Sequence, residues 1–185
     1  MKKWITFCLI LTLALSFTAC DNFGPELDST VTLPSDMPPA ATLAGEIKPI
    51  TMPVEDIYTR LGELINLPAM IRLDSGMMLD YCGIQPAKVK QAYVAICEDS
   101  LRTDEIWMLE ATDAAAAQEL IKLAETRLSR KAEESKTYSP EQYAVVEKAV
   151  ILQNGNHVIL LVSPGSATMT EFIKTITGTA FNQIR

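Results

Sequence analysis

Val158 to Val162 are apolar at five consecutive positions, just beyond the tripeptide Asn154-Gly155-Asn156 and His157. No other stretch constrains the fold so tightly. A strand with one wet face alternates between polar and apolar residues, whereas an unbroken apolar run implies burial on both faces. Asn154-Gly155 supplies the two positive φ angles of a type I′ turn, so Val150-Ile151-Leu152 and His157–Val162 are expected to form a tight hairpin.

A second hairpin is expected upstream. Residues 90–97 alternate, with Ala92, Val94 and Ile96 facing one way, and residues 105–111 form the partner strand. The acidic loop from Glu98 to Asp104 joins them. Helical spacing accounts for most of the rest. Val54, Ile57, Leu61, Leu64 and Ile65 recur on one face between Pro53 in the first turn and Pro68 as the stop. A short helix capped by Asp74 or Ser75 carries Met78, Leu79 and Cys82 and ends at Gly83. A long helix runs from Ala114 to about Ser135, capped by Thr112 or Asp113, with Ala117, Ile121, Ala124 and Leu128 as its apolar stripe. Ser139-Pro140-Glu141-Gln142 is a helix start in which Ser139 caps and Gln142 reaches back, sending Tyr143 and Val146 inward. A last helix, started by Thr168 and Glu171 and stopped by Gly178, carries Met169, Phe172, Ile173 and Ile176. The order predicts an α+β domain over residues 53–185, with an antiparallel four-stranded sheet (two hairpins) packed against helices.

The segment before this domain has a different character. Lys2 and Lys3 precede an apolar run from Trp4 to Phe17, and Phe17-Thr18-Ala19 places small residues before Cys20. That order predicts a lipoprotein signal peptide over residues 1–19, with cleavage before Cys20 and lipidation of its sulfur. The run is also shorter than the ~20 apolar residues of a membrane span. Two acyl chains such as palmitate hold a protein on a bilayer where one is marginal. Residues 20–52, with Pro25, Pro34, Pro38, Pro39 and Pro49, read as the lipidated cysteine and a proline-rich, semi-rigid tether.

Loss of Lys2 and Lys3 with the signal leaves 14 basic and 23 acidic residues, a balance of −9. Nucleic acid needs clustered Lys and Arg, so it is excluded as a partner. Adhesion to anionic lipids is excluded on the same ground, and membrane attachment is expected through the lipid anchor alone. Cys8 departs with the signal, which leaves Cys82 and Cys97 in the domain. A disulfide between them and two buried thiols acting as small apolar residues both remain open. Neither forms a Cys-x-x-Cys pair.

Leu79-Asp80-Tyr81-Cys82-Gly83-Ile84, Arg127, Tyr138-Ser139-Pro140-Glu141-Gln142-Tyr143 and Asn154-Gly155-Asn156-His157-Val158 follow one another with a characteristic order and spacing. In this the chain resembles a group of lipoproteins, mostly of Gram-positive anaerobic bacteria, known only as a domain of unknown function. Cys82 stands between the tyrosine and glycine that are adjacent in that pattern. The resemblance spans about Pro53 to Ile176 and implies location and fold class, with no activity attached.

Chemistry has few footholds. His157 is the one histidine, and it is expected to be an edge-strand polar residue. Neither a catalytic triad nor a metal site is expected around it, and no cofactor is predicted. Glu98, Asp99, Asp104 and Glu105 lack the order of a calcium loop and read as a solvated hairpin loop. Ser163-Pro164-Gly165-Ser166 has neither a nucleophile elbow nor a P-loop ending and reads as a strand-to-helix connection. Arg127 is adjacent to the core stripe, where it would pair with a carboxylate or bind an anionic ligand. The expected function is that of a non-enzymatic, lipid-anchored interaction module engaging an envelope protein or wall component. The alternatives are a small-ligand receptor for a transporter or sensor and, ranked last, a wall hydrolase.

Overall fold

The computed structural model describes residues 47–185. The expected signal peptide, Cys20 and the tether up to residue 46 lie outside the described residues. Six strands form one sheet, β1 (Met70–Arg72), β2 (Val89–Cys97), β3 (Glu105–Ala111), β4 (Val150–Asn154), β5 (His157–Val162) and β6 (Asn182–Gln183). They are ordered β1-β2-β3-β5-β4-β6, and every neighbouring pair is antiparallel. Among the described residues five α-helices accompany it, α1 (Val54–Leu64), α2 (Ser75–Cys82), α3 (Ala114–Tyr138), α4 (Pro140–Glu147) and α5 (Ser166–Thr177), with a short 3-10 turn at Pro86–Lys88.

The α+β class is as expected, but the sheet has six strands where four were expected. The additional strands β1 and β6 are three and two residues long. Elements that short have no readable periodicity and are recruited by their neighbours' backbone groups. Met70–Arg72 pairs along Cys97–Ala95, and Asn182 and Gln183 pair with Gln153 and Leu152.

Burial on both faces of β5 is complete, since every residue from His157 to Val162 is buried. Val158, Leu160 and Val162 face the core shared with α2, α3 and α4, together with Trp107 and Leu109 from β3. Ile159 and Leu161 face the other core, closed by α1 and α5 through Ile57, Leu61, Met169 and Ile173. Trp107 is fully buried. Removing a side chain of that size from water contributes on the order of 3 kcal/mol.

Local details both follow and depart from the expected pattern. Asp74 and Asp113 cap α2 and α3 through the N–H groups of Met77 and Ala116, both at 2.8 Å. Gly83 and Gly178 end α2 and α5 in the left-handed conformation. Ser139 caps α4, but Gln142 does not complete a capping box; its Oε1 accepts from Thr103 N and Oγ1 at 2.9 and 3.0 Å. Helix α5 starts at Ser166, ahead of the expected Thr168, because Ser166 Oγ turns back to donate to Ser163 O at 2.8 Å. Leu64 and Leu79, expected on apolar faces, are exposed.

The hairpin is tight, but its turn is Gly155-Asn156 instead of Asn154-Gly155, since Asn154 pairs with His157 inside the ladder. Gly155 has φ +55°, the sign required at the first central position of a primed turn. Asn154 is thereby freed for a different task. Its buried Nδ2 donates to Lys48 O, Thr179 Oγ1 and Ala180 O at 2.9, 3.0 and 2.9 Å. Lys48 and Ile50, read from sequence as tether, are therefore docked on the domain, and Ile50 is buried in the α1–α5 core. The boundary expected at Pro53 is not a boundary of contact.

Candidate functional site

Glu105 opens β3 on the same face as Trp107 and Leu109, so alternation points a carboxylate into the α3-side core, where its exposure is 0%. A buried carboxylate is tolerated only when paired and hydrogen-bonded. Arg127 and Lys131 meet that demand from successive turns of α3. Arg127 Nε reaches Glu105 Oε1 and Oε2 at 3.0 and 3.1 Å, and Arg127 Nη2 reaches Oε2 at 2.9 Å. Lys131 Nζ lies 2.8 Å from Oε2 and donates to Thr103 O at 3.1 Å. Trp107 Nε1 donates to Oε1 at 2.7 Å, and Cys82 Sγ approaches it at 3.9 Å.

Burial alone would favour the neutral acid, but Lys131 and Arg127 overcome it and hold the Glu105 carboxyl below the ordinary range. Burial and the Glu105 charge together push the Cys82 thiol up to about 12. The cluster thus contains an ionised carboxylate already surrounded by donors and a thiol kept protonated. Neither is poised to act as a base or nucleophile.

The expectation of a solvated acidic loop fails at its end. Glu105 is the buried centre of the cluster, and Asp104, 3% exposed, is buried beside it. Asp104 Oδ2 accepts from Arg102 Nε at 3.0 Å, while its buried Oδ1 has no partner among the described residues. Alternation explains Glu105, which opens the central strand β3 on the inward side of Trp107 and Leu109, whereas Asp104 lies just before the strand.

The structure brings together two of the residues singled out from sequence, Arg127 and Cys82, both at Glu105. Cys97 is elsewhere, paired with Met70 at the end of β2. Both domain cysteines are free and buried. Sequence reasoning missed Lys131, Trp107 and Thr103, and read Glu105 as part of a solvated loop. A signal existed for Lys131, which continues the stripe of Ala117, Ile121, Ala124 and Leu128 at helical spacing. Glu105 shares the inward parity of Trp107 and Leu109.

His157 is not on an edge. It lies on β5 between Glu110 of β3 and Asn154 of β4, in the interior of the sheet. Burial depresses its pKa against the opposing pull of Glu110. Among the described residues no group of three or more His, Cys, Asp or Glu side chains is arranged to hold a metal ion.

A groove of about 580 Å³ opens over the Lys131 side of the cluster, between the β2–β3 loop and the α3–α4 corner. Arg102, Thr103, Lys131, Glu134 and Gln142 contribute polar groups, and Leu101 and Tyr138 stand at its border. These two are 81% and 88% exposed, the highest values among the large hydrophobic side chains described. The chain enters the domain at the other end of the sheet, where Asn154 holds Lys48. The seven residues of β3 separate the two ends, a span of roughly 20 Å.

The family described as a domain of unknown function (DUF4358) matches residues 64–163. The matched segment contains every side chain of the Glu105 cluster and the groove beside it. No curated protein matches the chain. No solved structure matches it either.

Proposed function

The chain belongs to this family of domains of unknown function, and on that premise we propose that it is a lipid-anchored, extracytoplasmic protein whose domain works as a non-catalytic binding module in the cell envelope. The observation that carries the binding reading is the groove in which exposed Leu101 and Tyr138 flank a floor containing buried Lys131. Soluble domains rarely leave apolar side chains grouped around a polar concavity unless something is recognised there. The saturated Glu105 carboxylate and the protonated Cys82 thiol favour binding over catalysis. The anchor rests on the sequence alone, on the order from Lys2 to Cys20. No described helix is long and apolar enough to cross a membrane. Entry of the chain at Lys48, away from the groove, suits a module that presents its groove to a partner.

Crosslinking in living cells, followed by capture of the protein, tests the proposal, with Cys20→Ala as the unlipidated control. An envelope protein or wall fragment captured with the parent chain and lost in the control is the expected result. Turnover of a wall substrate, abolished by one carboxylate or serine substitution, would sink it. A small-ligand receptor is the second reading, favoured by a groove volume within the ~300–1,000 Å³ of small-molecule sites. Thermal stabilisation by a defined solute, with no captured macromolecule, would select it.

A further inference from the structure

We propose that the groove over Lys131 binds a peptide segment presenting one carboxylate beside an apolar side chain. The proposal rests on the binding-module reading and names the chemistry of its partner.

Charge is the first argument. Arg127 and Lys131 share the single carboxylate of Glu105, while Arg102 is balanced by Asp104. Glu134, the carboxylate on the groove wall, is set against Arg130 at 3.9 Å, so the cluster retains one positive charge in a largely water-excluded place, where it acts more strongly than at the surface. Arg102 and Lys131 both border the groove, and Lys131 is the one that shares its carboxylate with a second cation. Its ammonium has three donors, of which Glu105 Oε2 and Thr103 O engage two. The third is available to an acceptor in the groove, and the head group is already held in place, so little rotamer entropy remains to be lost on binding. The excess is a single charge in a chain of net charge −7. That background repels a polyanion such as a phosphate polymer and leaves a lone carboxylate as the complementary group.

The rim supplies the second argument. Leu101 and Tyr138 offer apolar surface next to the cation, so the carboxylate must belong to a molecule with an apolar part. The β2–β3 loop that carries Leu101 is braced, since Leu101 N donates to Asp99 Oδ1 at 2.9 Å. Gln142 supplies the third. Its Oε1 is occupied by Thr103, which leaves the Nε2 hydrogens to donate to a peptide carbonyl. Cation, amide donors and apolar rim together match a peptide better than a bare acyl anion.

The full chain in detergent, labelled with nitrogen-15, is titrated with acetyl-leucyl-glutamate amide, acetyl-leucyl-glutamine amide and hexanoate. The expected result is saturable movement of the Leu101, Thr103 and Gln142 amide signals with the glutamate peptide, with binding at least about tenfold weaker for the glutamine peptide. Lys131→Met removes the cation but also a partner of Glu105. Leu101→Ser and Tyr138→Ser therefore serve as second variants; both should keep the parent thermal midpoint and bind the glutamate peptide several-fold more weakly. Equal binding of the two peptides, binding of hexanoate alone, or no movement up to about 10 mM would each overturn the proposal. Should that happen while crosslinking still captures an envelope partner, the groove chemistry is wrong and the binding-module reading survives.

Discussion

Arg127 approaches Glu105 side-on, with Nε within 3.1 Å of both carboxylate oxygens and Nη2 at 2.9 Å from Oε2. The paired geometry places a charge-assisted contact between α3 and the first residue of β3, joining helix to sheet at a fully buried point. Arg127→Ala leaves Glu105 with Lys131 as its remaining cation. Breaking a buried pair from one side costs about 3–5 kcal/mol. Denaturant unfolding should place Arg127→Ala near the low end of that range, because Lys131 still compensates part of the charge. Arg127→Lys should recover only part of the loss, since an ammonium cannot bridge both oxygens in one plane.

The same pair sets an acid limit. The folded pKa of Glu105 lies below its ordinary 4.5, so the folded state binds this proton less readily than the unfolded chain. Its contribution is fully present above pH 4.5 and is lost as pH falls through the folded value. Thermal midpoints measured downward from pH 5 should decline for the parent. The decline attributable to this group should be absent in Glu105→Gln, which starts from a lower midpoint.

His157 adds a second window at higher pH. Burial lowers its pKa from 6.5, so the unfolded chain takes up the proton first and stability falls as pH drops below 6.5. Above that value the contribution is fully present. The chain has one histidine, so His157→Asn should flatten the stability profile between pH 7 and 5 while leaving the lower window unchanged.

Asn154 ties together Lys48, Thr179 and Ala180, residues distant in sequence. Asn154→Ala removes one donor each from the Lys48 and Ala180 carbonyls, while Thr179 Oγ1 still donates to Lys48 O at 2.7 Å, so the loss should lie near the low end of about 1–3 kcal/mol. Hydrogen exchange should accelerate first at Lys48 and Thr179, with the Trp107 neighbourhood remaining protected.

Cys82 is buried, with its pKa raised to about 12. At pH 8 its thiolate fraction is on the order of 10⁻⁴, so alkylation of the native chain should be slow. Mass spectrometry should find Cys82 and Cys97 unmodified by iodoacetamide in the native state and both modified in denaturant without reductant. Protection that persists in denaturant until reductant is added would establish a disulfide instead.

Much of the fold is legible because it rests on local chemistry. The Asp74 and Asp113 caps, the glycine stops at Gly83 and Gly178, and the unbroken apolar strand after the hairpin all follow from residue types at short spacing. β1 and β6 are not legible, since three and two residues form strands only when β2 and β4 present unpaired backbone groups beside them. The exact turn at Gly155-Asn156 was likewise decided by tertiary contact, which draws Asn154 into the ladder to hold Lys48.

The candidate site divides along the same line. From sequence, Arg127 could be placed beside the core stripe and assigned either a carboxylate or an anion. Which carboxylate, and how deep, depends on β3 and α3 meeting across 22 residues of chain, and nothing in the spacing of charges states that contact. Glu105 looks like the end of an acidic loop until strand alternation turns it inward. Lys131 looks like a surface lysine until the same face of α3 packs on the sheet. Periodicity, caps and turns determine which segments are helices and strands, because those preferences are carried within a few residues. Packing of α3 on β3 alone decided that two cations share one buried carboxylate, because a charge's partner is set by proximity in space.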